Sequence, residues 1–336
     1  MIPATSLAAQ PAALPDWRQS LRDAIGDPRE LLDLLGLPHL AGRLPAQDAG
    51  FALRVPRGFV ARMRHGDPRD PLLLQVLPQL AENAETQGFE HDAVGDLTAR
   101  AAHGVLHKYP GRALLIAAGS CAVNCRYCFR RHFPYAEEIA AAAAWREALV
   151  HIRGDASLHE VILSGGDPLV LSTSKLDEFG AALATIPHVR TLRIHTRVPV
   201  VLPERIDAVF CNWLGALPLR RVVVLHANHA RELDDPVHDA CSRLRATGAI
   251  LLNQSVLLAG VNDTADSLAA LSERLFDCGV LPYYLHQLDH VRGTAHFAVG
   301  DDRARELVAA LRVRLPGYLV PRLVRETAGE ASKTPL

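Results

Sequence analysis

The chain has 336 residues, of which 49% are hydrophobic and 22% charged, a balance typical of a globular protein with a large core. The formal net charge of −1 gives no electrostatic reason to expect binding to nucleic acid or to an anionic membrane. No apolar run reaches the roughly 18 residues that a membrane span requires. The N-terminus does not resemble a signal peptide, so we expect a cytoplasmic protein.

Residues 1–105 are predicted to form a helical and irregular N-terminal region. Apolar residues recur at helical spacing over residues 16–25 and 27–37, and the second stretch has Asp27 and Pro28 at cap and first-turn positions. Prolines divide residues 68–80 into short pieces. Nothing in this region indicates chemistry.

From residue 112 onward, short apolar runs alternate with helical stretches, which predicts a parallel sheet covered by helices. Six such strand–helix units favour an α/β fold with a six-unit, partly open (β/α) barrel over residues 106–315. A doubly wound open sheet is the alternative. The predicted strands are RALLIAA, EVILSG, TLRIHT, RVVVLHA, AILLNQSVLL and LPYYLHQL.

Polar motifs stand where these strands end. The first strand leads to Cys121, the second to SGGDP, the third to HTR and the fourth to HANH. Asn253, Gln254 and Ser255 lie on the fifth strand, and HQLD ends the sixth. Because the carboxyl ends of parallel strands share one mouth in a barrel, we expect these motifs to form one active site.

Three cysteines, Cys121, Cys125 and Cys128, have the spacing C-x3-C-x2-C. Three thiolates on one short loop can hold three irons of a [4Fe–4S] cluster and leave the fourth iron open to a small molecule. A zinc site completed by a histidine and a set of unligated buried cysteines are the alternatives. Zinc fits less well, because structural zinc sites usually take four ligands in paired hooks. The other cysteines lie singly in predicted helices and are expected in the core: Cys211, Cys241 and Cys278.

This spacing, with Tyr127 before the third cysteine, resembles the signature of radical S-adenosylmethionine (SAM) enzymes. In that family the open iron is chelated by the amino and carboxylate groups of SAM, and a glycine-rich segment contacts the amino group. The resemblance assigns that contact to Gly165, Gly166 and Asp167, where glycines let backbone carbonyls approach closely. By itself, a Gly-Gly-Asp segment is also an ordinary strand-to-helix turn.

Several longer segments resemble the lysine 2,3-aminomutase family of radical SAM enzymes and together cover nearly all of residues 100–336. The closest resemblance is to the short bacterial form that supplies β-lysine for modification of elongation factor P. It implies conversion of L-lysine to β-lysine with a [4Fe–4S] cluster, SAM and pyridoxal phosphate (PLP). The segments are LHKYPGRALL, CAVNCRYCFRRHF, SGGDPL, RIHTRVPVVLPERI, NQSVLLAGVND and YYLHQLDHVRGTAHF.

PLP requires a lysine for its resting Schiff base, and the resemblance assigns this role to Lys333 in GEASKTPL. Of the 36 Lys and Arg residues, only Lys108, Lys175 and Lys333 are lysine, and arginine cannot form a usable Schiff base. Taken alone, a lysine so near the C-terminus would be a solvated tail residue. The C-terminal segment, residues 316–336, is expected to close the barrel mouth.

The resemblance places further PLP contacts at Lys108, Tyr109 and Arg112 in KYPGR, a segment that would otherwise be interpreted as a surface turn. Their positions match the phosphate-binding cations and the tyrosine of the family.

Substrate contacts are assigned in the same way. Arg130 matches the arginine that binds the amino-acid carboxylate, for which a planar guanidinium is suited. Asp289 and Glu326 match two carboxylates that hold the ε-ammonium of lysine, although such acids are also common in surface ion pairs. Glu326 departs from the family by one methylene, because the family has aspartate there.

Two other departures bear on the C-terminal segment. The glycine run of the family before the PLP lysine is reduced here to GEAS. Larger aminomutases continue into a cysteine-bearing, zinc-binding extension at a subunit interface. This sequence stops three residues after Lys333, so we expect no structural zinc, while a homo-oligomer stays open.

The implied partners are L-lysine, an electron donor of the flavodoxin or ferredoxin class, and elongation factor P with its lysyl ligase. Two rival functions stay open: a radical SAM aminomutase acting on arginine or glutamate, and a zinc-stabilised binding module. Acidic Asp289 and Glu326 count against glutamate, and the lack of a four-ligand metal set counts against the module. His226 and His229 are expected to be structural or cofactor-adjacent rather than a metal pair.

Overall fold

One ten-stranded sheet runs through this computed structural model, which describes residues 15–45, 51–135 and 144–336. The strands lie side by side in chain order from β1 to β10. Their bounds are β1 Arg100–Ala102, β2 Val105–Tyr109, β3 Arg112–Ala118, β4 Glu160–Gly165, β5 Thr191–Thr196, β6 Arg220–His226, β7 Ile250–Val256, β8 Leu281–His286, β9 Arg322–Arg325 and β10 Thr334–Pro335.

The strands from β3 to β9 are parallel, and helices form the connections between them. A doubly wound sheet reverses its strand order at a switch point, whereas here every new strand is added on the same side. That order confirms the α/β barrel-type fold and excludes the doubly wound alternative. The helices of this part are α5 Ala144–Gly154, α6 Thr173–Ala184, α7 Val198–Val201, α8 Ala208–Ala216, α9 Asp235–Ala246, α10 Ala265–Asp277 and α11 Asp301–Arg314.

The periodicity of each element explains its burial. Strand β4 is buried without interruption from Val161 to Ser164, as expected of a parallel strand covered on both faces. Helix α10 buries Leu268, Leu271 and Leu275, which recur at helical spacing, and turns its polar side outward. The main core therefore lies between the sheet and the helices.

A seventh parallel strand, β9, was not anticipated from the sequence. It pairs with β8, and β10 then folds back on it in antiparallel register. The strand is only four residues long and has arginine at both ends, Arg322 and Arg325, so its apolar pattern is too short to stand out. The C-terminal segment is thereby fixed to the edge of the sheet.

The N-terminal region contains short helices, as predicted, but it also contributes to the sheet. Strand β1 begins five residues before the predicted boundary at residue 105, and the division into three segments stays a prediction. The helices are α1 Trp17–Arg22, α2 Pro28–Leu34, α3 Arg57–Val60 and α4 Pro71–Leu74. None of the described helices is long and apolar enough to cross a membrane.

The sheet does not close into a full barrel, since β1 and β10 are its two ends and are not paired among the described strands. Side chains bridge the gap instead. Lys108 on β2 places its Nζ 2.9 Å from Oε1 of Glu326, which directly follows β9. The predicted partly open barrel is thus confirmed, and an ion pair links β2, next to one end of the sheet, to the residue that follows β9, next to the other end.

Candidate active site

All the residues predicted for the site line one cavity at the carboxyl ends of the parallel strands. The cavity has two halves, which we name after their chemistry. The cysteine half contains Cys121, Cys125, Cys128, Gly165, Gly166 and Asp167, and the lysine half contains Lys108, Tyr109, Arg112, Arg130, Asp289, Glu326 and Lys333.

The loop that carries the cysteines is held by the N-terminal region. Glu82 is buried and accepts hydrogen bonds from two arginines of the loop, from Nε of Arg126 at 2.9 Å and from Nη2 of Arg131 at 2.7 Å. Arg126 also donates to the carbonyl of Phe51 at 2.7 Å, and its backbone N–H donates to the carbonyl of Gln75 at 2.9 Å. The region in which the sequence indicated no chemistry therefore supports the cysteine loop.

Cys121, Cys125 and Cys128 are each half-buried as whole residues, and all three line the cavity. Burial of the sulfur and the neighbouring Cys128 raise the pKa of Cys121 well above its usual value. Burial and the neighbouring Cys125 raise the pKa of Cys128 to about 11. Such thiols become thiolates only when a cation compensates their charge, which suits a metal-binding set.

No three His, Cys, Asp or Glu side chains in the described part of the chain form a group that could hold a single metal ion. In a cubane cluster each thiolate binds a different iron, so its thiolates need not meet at one point.

The glycines after β4 allow the backbone to pack against the strand that leads to the cysteines. A Cβ on Gly166 would lie 2.3 Å from the carbonyl oxygen of Ser120, which is next to Cys121. Gly165 has φ +103°, a conformation that other residues rarely adopt. The N–H of Asp167 donates to the Ser120 carbonyl at 2.9 Å, so this turn and the cysteine loop are fixed to each other.

The carboxylate of Asp167 ties the end of β4 to the end of β5. It accepts from Oγ1 of Thr196 at 2.7 Å and from the N–H groups of Arg197 at 2.7 Å and Val198 at 3.1 Å. Burial outweighs these hydrogen bonds and raises its pKa. The side chain thus has a structural task, while the backbone of the turn faces the cavity.

In the lysine half, Asp96 connects Arg130 to Lys108. Its Oδ2 lies 2.6 Å from Nε of Arg130 and its Oδ1 lies 2.6 Å from Nζ of Lys108. Burial alone would raise the pKa of Asp96, but the two cations outweigh it and hold the pKa below its usual value. Asp92 fixes the local turn, because its side chain accepts from the N–H groups of Asp96 and Leu97, each at 2.9 Å.

Glu326 continues this network to the C-terminal segment. Its Oε1 lies 2.9 Å from Nζ of Lys108, and its Oε2 is hydrogen-bonded to Nζ of Lys333. Burial opposes ionisation of Glu326, yet Lys333 and Lys108 lower its pKa far below the usual range. Burial and the charge of Glu326 raise the pKa of Tyr109, and the Arg112 guanidinium lies 4.9 Å from the centre of that ring.

Asp289 differs from the other acids of the cavity because its buried Oδ1 has no hydrogen-bond partner among the described residues. Burial, with the negative charge of Glu326, raises its pKa to about 7. Two histidines also line the cavity: burial and the charge of Lys333 lower the pKa of His286 to about 3, and burial with Arg193 lowers that of His195 well below its usual value. Asp289 therefore offers a free acceptor within reach of the charges of Glu326 and Lys333.

Asp96 and Arg197 also line the cavity, although the sequence predicts no role for either of them. Asp96 stands alone in a loop without a recognisable motif, whereas Arg197 stands at the end of β5, a position that did signal the site. His226 lines the cavity and its Nε2 lies 2.8 Å from the Tyr127 hydroxyl, while Nδ1 of His229 accepts from the N–H of Arg231 at 3.1 Å. The two histidines therefore have separate partners.

Comparison with known proteins places the chain in a family. The L-lysine 2,3-aminomutase of Escherichia coli is 49% identical over 323 residues, which are 96% of this chain and 94% of that protein. The L-lysine 2,3-aminomutase of Haemophilus influenzae is 46% identical, with 95% of each chain covered. The chain belongs to the L-lysine 2,3-aminomutase family. No family model matches it.

The chain is close in length to the Escherichia coli and Haemophilus influenzae proteins, and it is shorter than some other family members. The L-lysine 2,3-aminomutase of Clostridium subterminale is 32% identical over 96% of this chain but only 77% of its own length. The longer members therefore contain sequence that has no counterpart in this chain.

Solved structures resemble the chain more distantly. A radical SAM methyltransferase from Sphaerobacter thermophilus has a TM-score of 0.43 at 21% identity, covering 66% of this chain and 68% of that one. A spore photoproduct lyase mutant with bound AdoMet has a TM-score of 0.42 at 12% identity, covering 61% of this chain and 73% of that one. The family assignment rests on the sequence relatives alone.

Gly166→Ala should destabilise this family member, because the new methyl group meets a backbone carbonyl that cannot move without moving the cysteine loop. We expect the free energy of unfolding to fall by about 1–3 kcal/mol, the usual cost of overpacking, in urea denaturation followed by circular dichroism.

Gly215→Ala on α8 is the matched control, since its nearest neighbouring atom lies 3.9 Å away. That variant should be as stable as the wild type or more stable by up to about 1 kcal/mol. Equal stability of the Gly166→Ala variant and the wild type would show that the turn does not hold Ser120.

Proposed function

We propose that the chain is a radical SAM, PLP-dependent L-lysine 2,3-aminomutase, an isomerase that converts L-lysine to β-lysine. The observation that carries the proposal is the meeting of the three cysteines, Gly165–Gly166 and Lys333 around one cavity. These residues come from distant parts of the sequence, and the names of the relatives agree with the chemistry they suggest.

The donor set of the cysteine half suits a [4Fe–4S] cluster with one open iron. Cys121, Cys125 and Cys128 would supply three thiolates, and the mutual effect of their charges makes a cationic occupant favourable. The backbone of Gly165 and Gly166 would lie against SAM bound at the open iron. The carbonyl of Gly165 accepts one hydrogen bond, from the Tyr135 hydroxyl at 2.9 Å, and has a second lone pair to offer.

Lys333 would hold PLP covalently in the lysine half, with Tyr109 and Arg112 beside it and Lys108 within the same ion network. When bound, the cluster and SAM would supply a radical that removes a hydrogen atom from the substrate, and PLP would carry the migrating amino group. Lys333 is held by Glu326 in a fixed place at the edge of the cavity, so its amine is oriented before the cofactor arrives.

Charge placement favours an amino acid with a cationic side chain. Asp289 has a free buried oxygen that can accept from an ammonium, and Glu326 is a carboxylate that already binds groups of this kind. Arg130 would bind the carboxylate at the other end, with Asp96 holding its Nε and leaving part of the guanidinium for the substrate. An aminomutase that acts on arginine is the second candidate, whereas glutamate would place a third carboxylate beside these acids.

The proposal also includes an electron donor for the cluster and a use for the product. A one-electron donor of the flavodoxin or ferredoxin class would reduce the cluster. β-Lysine would be used by a lysyl ligase to modify elongation factor P. This part of the proposal rests on the resemblance to the short bacterial form.

Anaerobic assays test the proposed reaction directly. After reconstitution with iron, sulfide, PLP and SAM under reducing conditions, chromatography coupled to mass spectrometry should find β-lysine from L-lysine and no isomer from L-arginine or L-glutamate. Cys125→Ala should lose bound iron and all product, whereas Cys211→Ala on α8 should retain both. If the iron-loaded protein isomerises arginine but not lysine, the proposed lysine aminomutase is wrong and the arginine aminomutase is supported.

The site of PLP attachment can be tested separately. Borohydride reduction of the PLP-loaded protein, followed by peptide mapping, should place the pyridoxyl group on Lys333, because Lys108 is held by two carboxylates, Asp96 and Glu326, whereas Lys333 is held by Glu326 alone among the described residues. Lys175 is the internal control, since it is exposed at the start of α6. A label on Lys108 would refute the assignment of the C-terminal lysine.

Asp289 should give lysine turnover a pH dependence. Only the ionised carboxylate binds an ammonium, and a pKa of about 7 leaves the group mostly protonated at pH 6. As pH rises from 6 to 8, kcat/KM for lysine should rise and then level off, by up to tenfold per unit below the pKa.

Asp289→Asn should flatten this profile and lower kcat/KM at pH 8 at least about thirtyfold, from the 2–5 kcal/mol typical of a lost partner in a buried pair. PLP loading and iron content should be unchanged. Asp302→Asn, on the exposed side of α11, is the control that should keep the wild-type profile. Normal lysine turnover by the Asp289→Asn protein would show that Asp289 does not bind the substrate.

A further inference from the structure

One buried cation of the cavity has no role in the proposed reaction so far. Arg197 follows β5, is only 6% exposed, and its Nη1 lies 2.7 Å from the sulfur of Cys125. The same nitrogen donates to the Tyr127 hydroxyl at 2.7 Å. The guanidinium is thus a charged hydrogen-bond donor placed directly on one of the three predicted cluster ligands.

The guanidinium is fixed from behind. Its Nη2 donates to Oε1 of Gln75 at 2.7 Å and to Oε2 of Glu232 at 3.0 Å, while the N–H of Arg197 donates to Asp167 at 2.7 Å. Gln75 is itself oriented by a hydrogen bond from its Nε2 to Oε1 of Glu232 at 3.0 Å. Arg197 cannot turn away from Cys125 without breaking several buried hydrogen bonds, so its position relative to the sulfur is set by the fold.

Glu232 is the carboxylate that the guanidinium of Arg197 contacts, and it is completely buried. Its Oε1 also accepts from the N–H groups of Asn228 at 2.9 Å and His229 at 3.0 Å. Glu232 contacts Nη2 of Arg197, whereas the sulfur of Cys125 contacts Nη1. The positive charge therefore lies nearer to Cys125 than the negative charge that balances it.

We propose that Arg197 is a positioning residue that sets the reduction potential of the cluster through Cys125, with Glu232 moderating its charge. Reduction adds one electron to the cluster and lowers the charge of its core from 2+ to 1+. A nearby positive charge and an N–H···S hydrogen bond stabilise the more negative, reduced form, since hydrogen bonds to the sulfurs and local charge are what tune such clusters. Arg197 would thus make reduction easier.

The inference rests on the proposed function, because it requires a [4Fe–4S] cluster on Cys125. The test is an anaerobic titration of the reconstituted protein with dithionite as the electron source, followed by the absorbance and electron paramagnetic resonance of the cluster. Arg197→Gln should make one-electron reduction at least tenfold less favourable, which is a potential about 59 mV lower. Arg197→Lys keeps the charge and should give a smaller shift of the same sign.

Glu232→Gln should shift the potential in the opposite direction, because it removes the negative charge and leaves that of Arg197. Potential shifts of opposite sign would indicate an electrostatic role. If the two residues were only structural, both substitutions would shift the potential in the same direction. Arg193→Gln is the matched control: it loses the same charge from β5, the strand that Arg197 directly follows, and its partner is Glu160 instead of a cysteine.

Shifts of one sign in Arg197→Gln and Glu232→Gln, or unchanged potentials in cluster-loaded variants, would overturn the role of Arg197 and leave the proposed function intact. A wild-type protein that binds no cluster would instead refute the proposed function. If Arg197→Gln fails to fold, the comparison of Arg197→Lys with Glu232→Gln carries the same test of sign.

Discussion

The ion pair between Lys108 and Glu326 is the contact on which the site depends, because the first and last of the described strands are not paired with each other. Lys108 belongs to the second strand and Glu326 follows the ninth, so their contact brings the two ends together. Asp96 holds Lys108 from the other side and Lys333 holds Glu326, and both acids are buried or nearly so. Removing one charge of such a network leaves its partner uncompensated, which is far more costly than losing a surface pair.

Five side chains in this network alternate in sign: Arg130, Asp96, Lys108, Glu326 and Lys333. The alternation explains why cations and acids can be buried together at all, since each charge has an opposite charge beside it. It also makes Glu326 a carboxylate shared between two ammonium groups. If Glu326 holds the substrate ammonium as proposed, the substrate has to compete with Lys333 for this carboxylate, and its binding would be coupled to the freedom of the lysine amine.

The parts of the fold that could be predicted from the sequence are those with a local signal. The parallel strands are short apolar runs between helical stretches, and the cysteines and the Gly-Gly-Asp turn each lie within a few residues of one another. Asp96 could not be found in this way, because its partners Arg130 and Lys108 are brought to it only by the folded chain. The support of the cysteine loop by Glu82 was missed for the same reason: an acid in an irregular segment has no pattern that distinguishes it from a surface residue.

The two halves of the cavity are joined by the covalent chain as well as by contacts. Arg130 lies two residues after Cys128, in the turn where the N–H of Cys128 donates to the carbonyl of Cys125 at 3.0 Å. Its Nη1 also donates to Ser164, the residue before Gly165, at 3.1 Å. The end of β4, the cysteine loop and the ion network therefore meet at one guanidinium. A shift of the network would move the cysteine loop with it, so the distance between the two halves is fixed by the same residues that build each half.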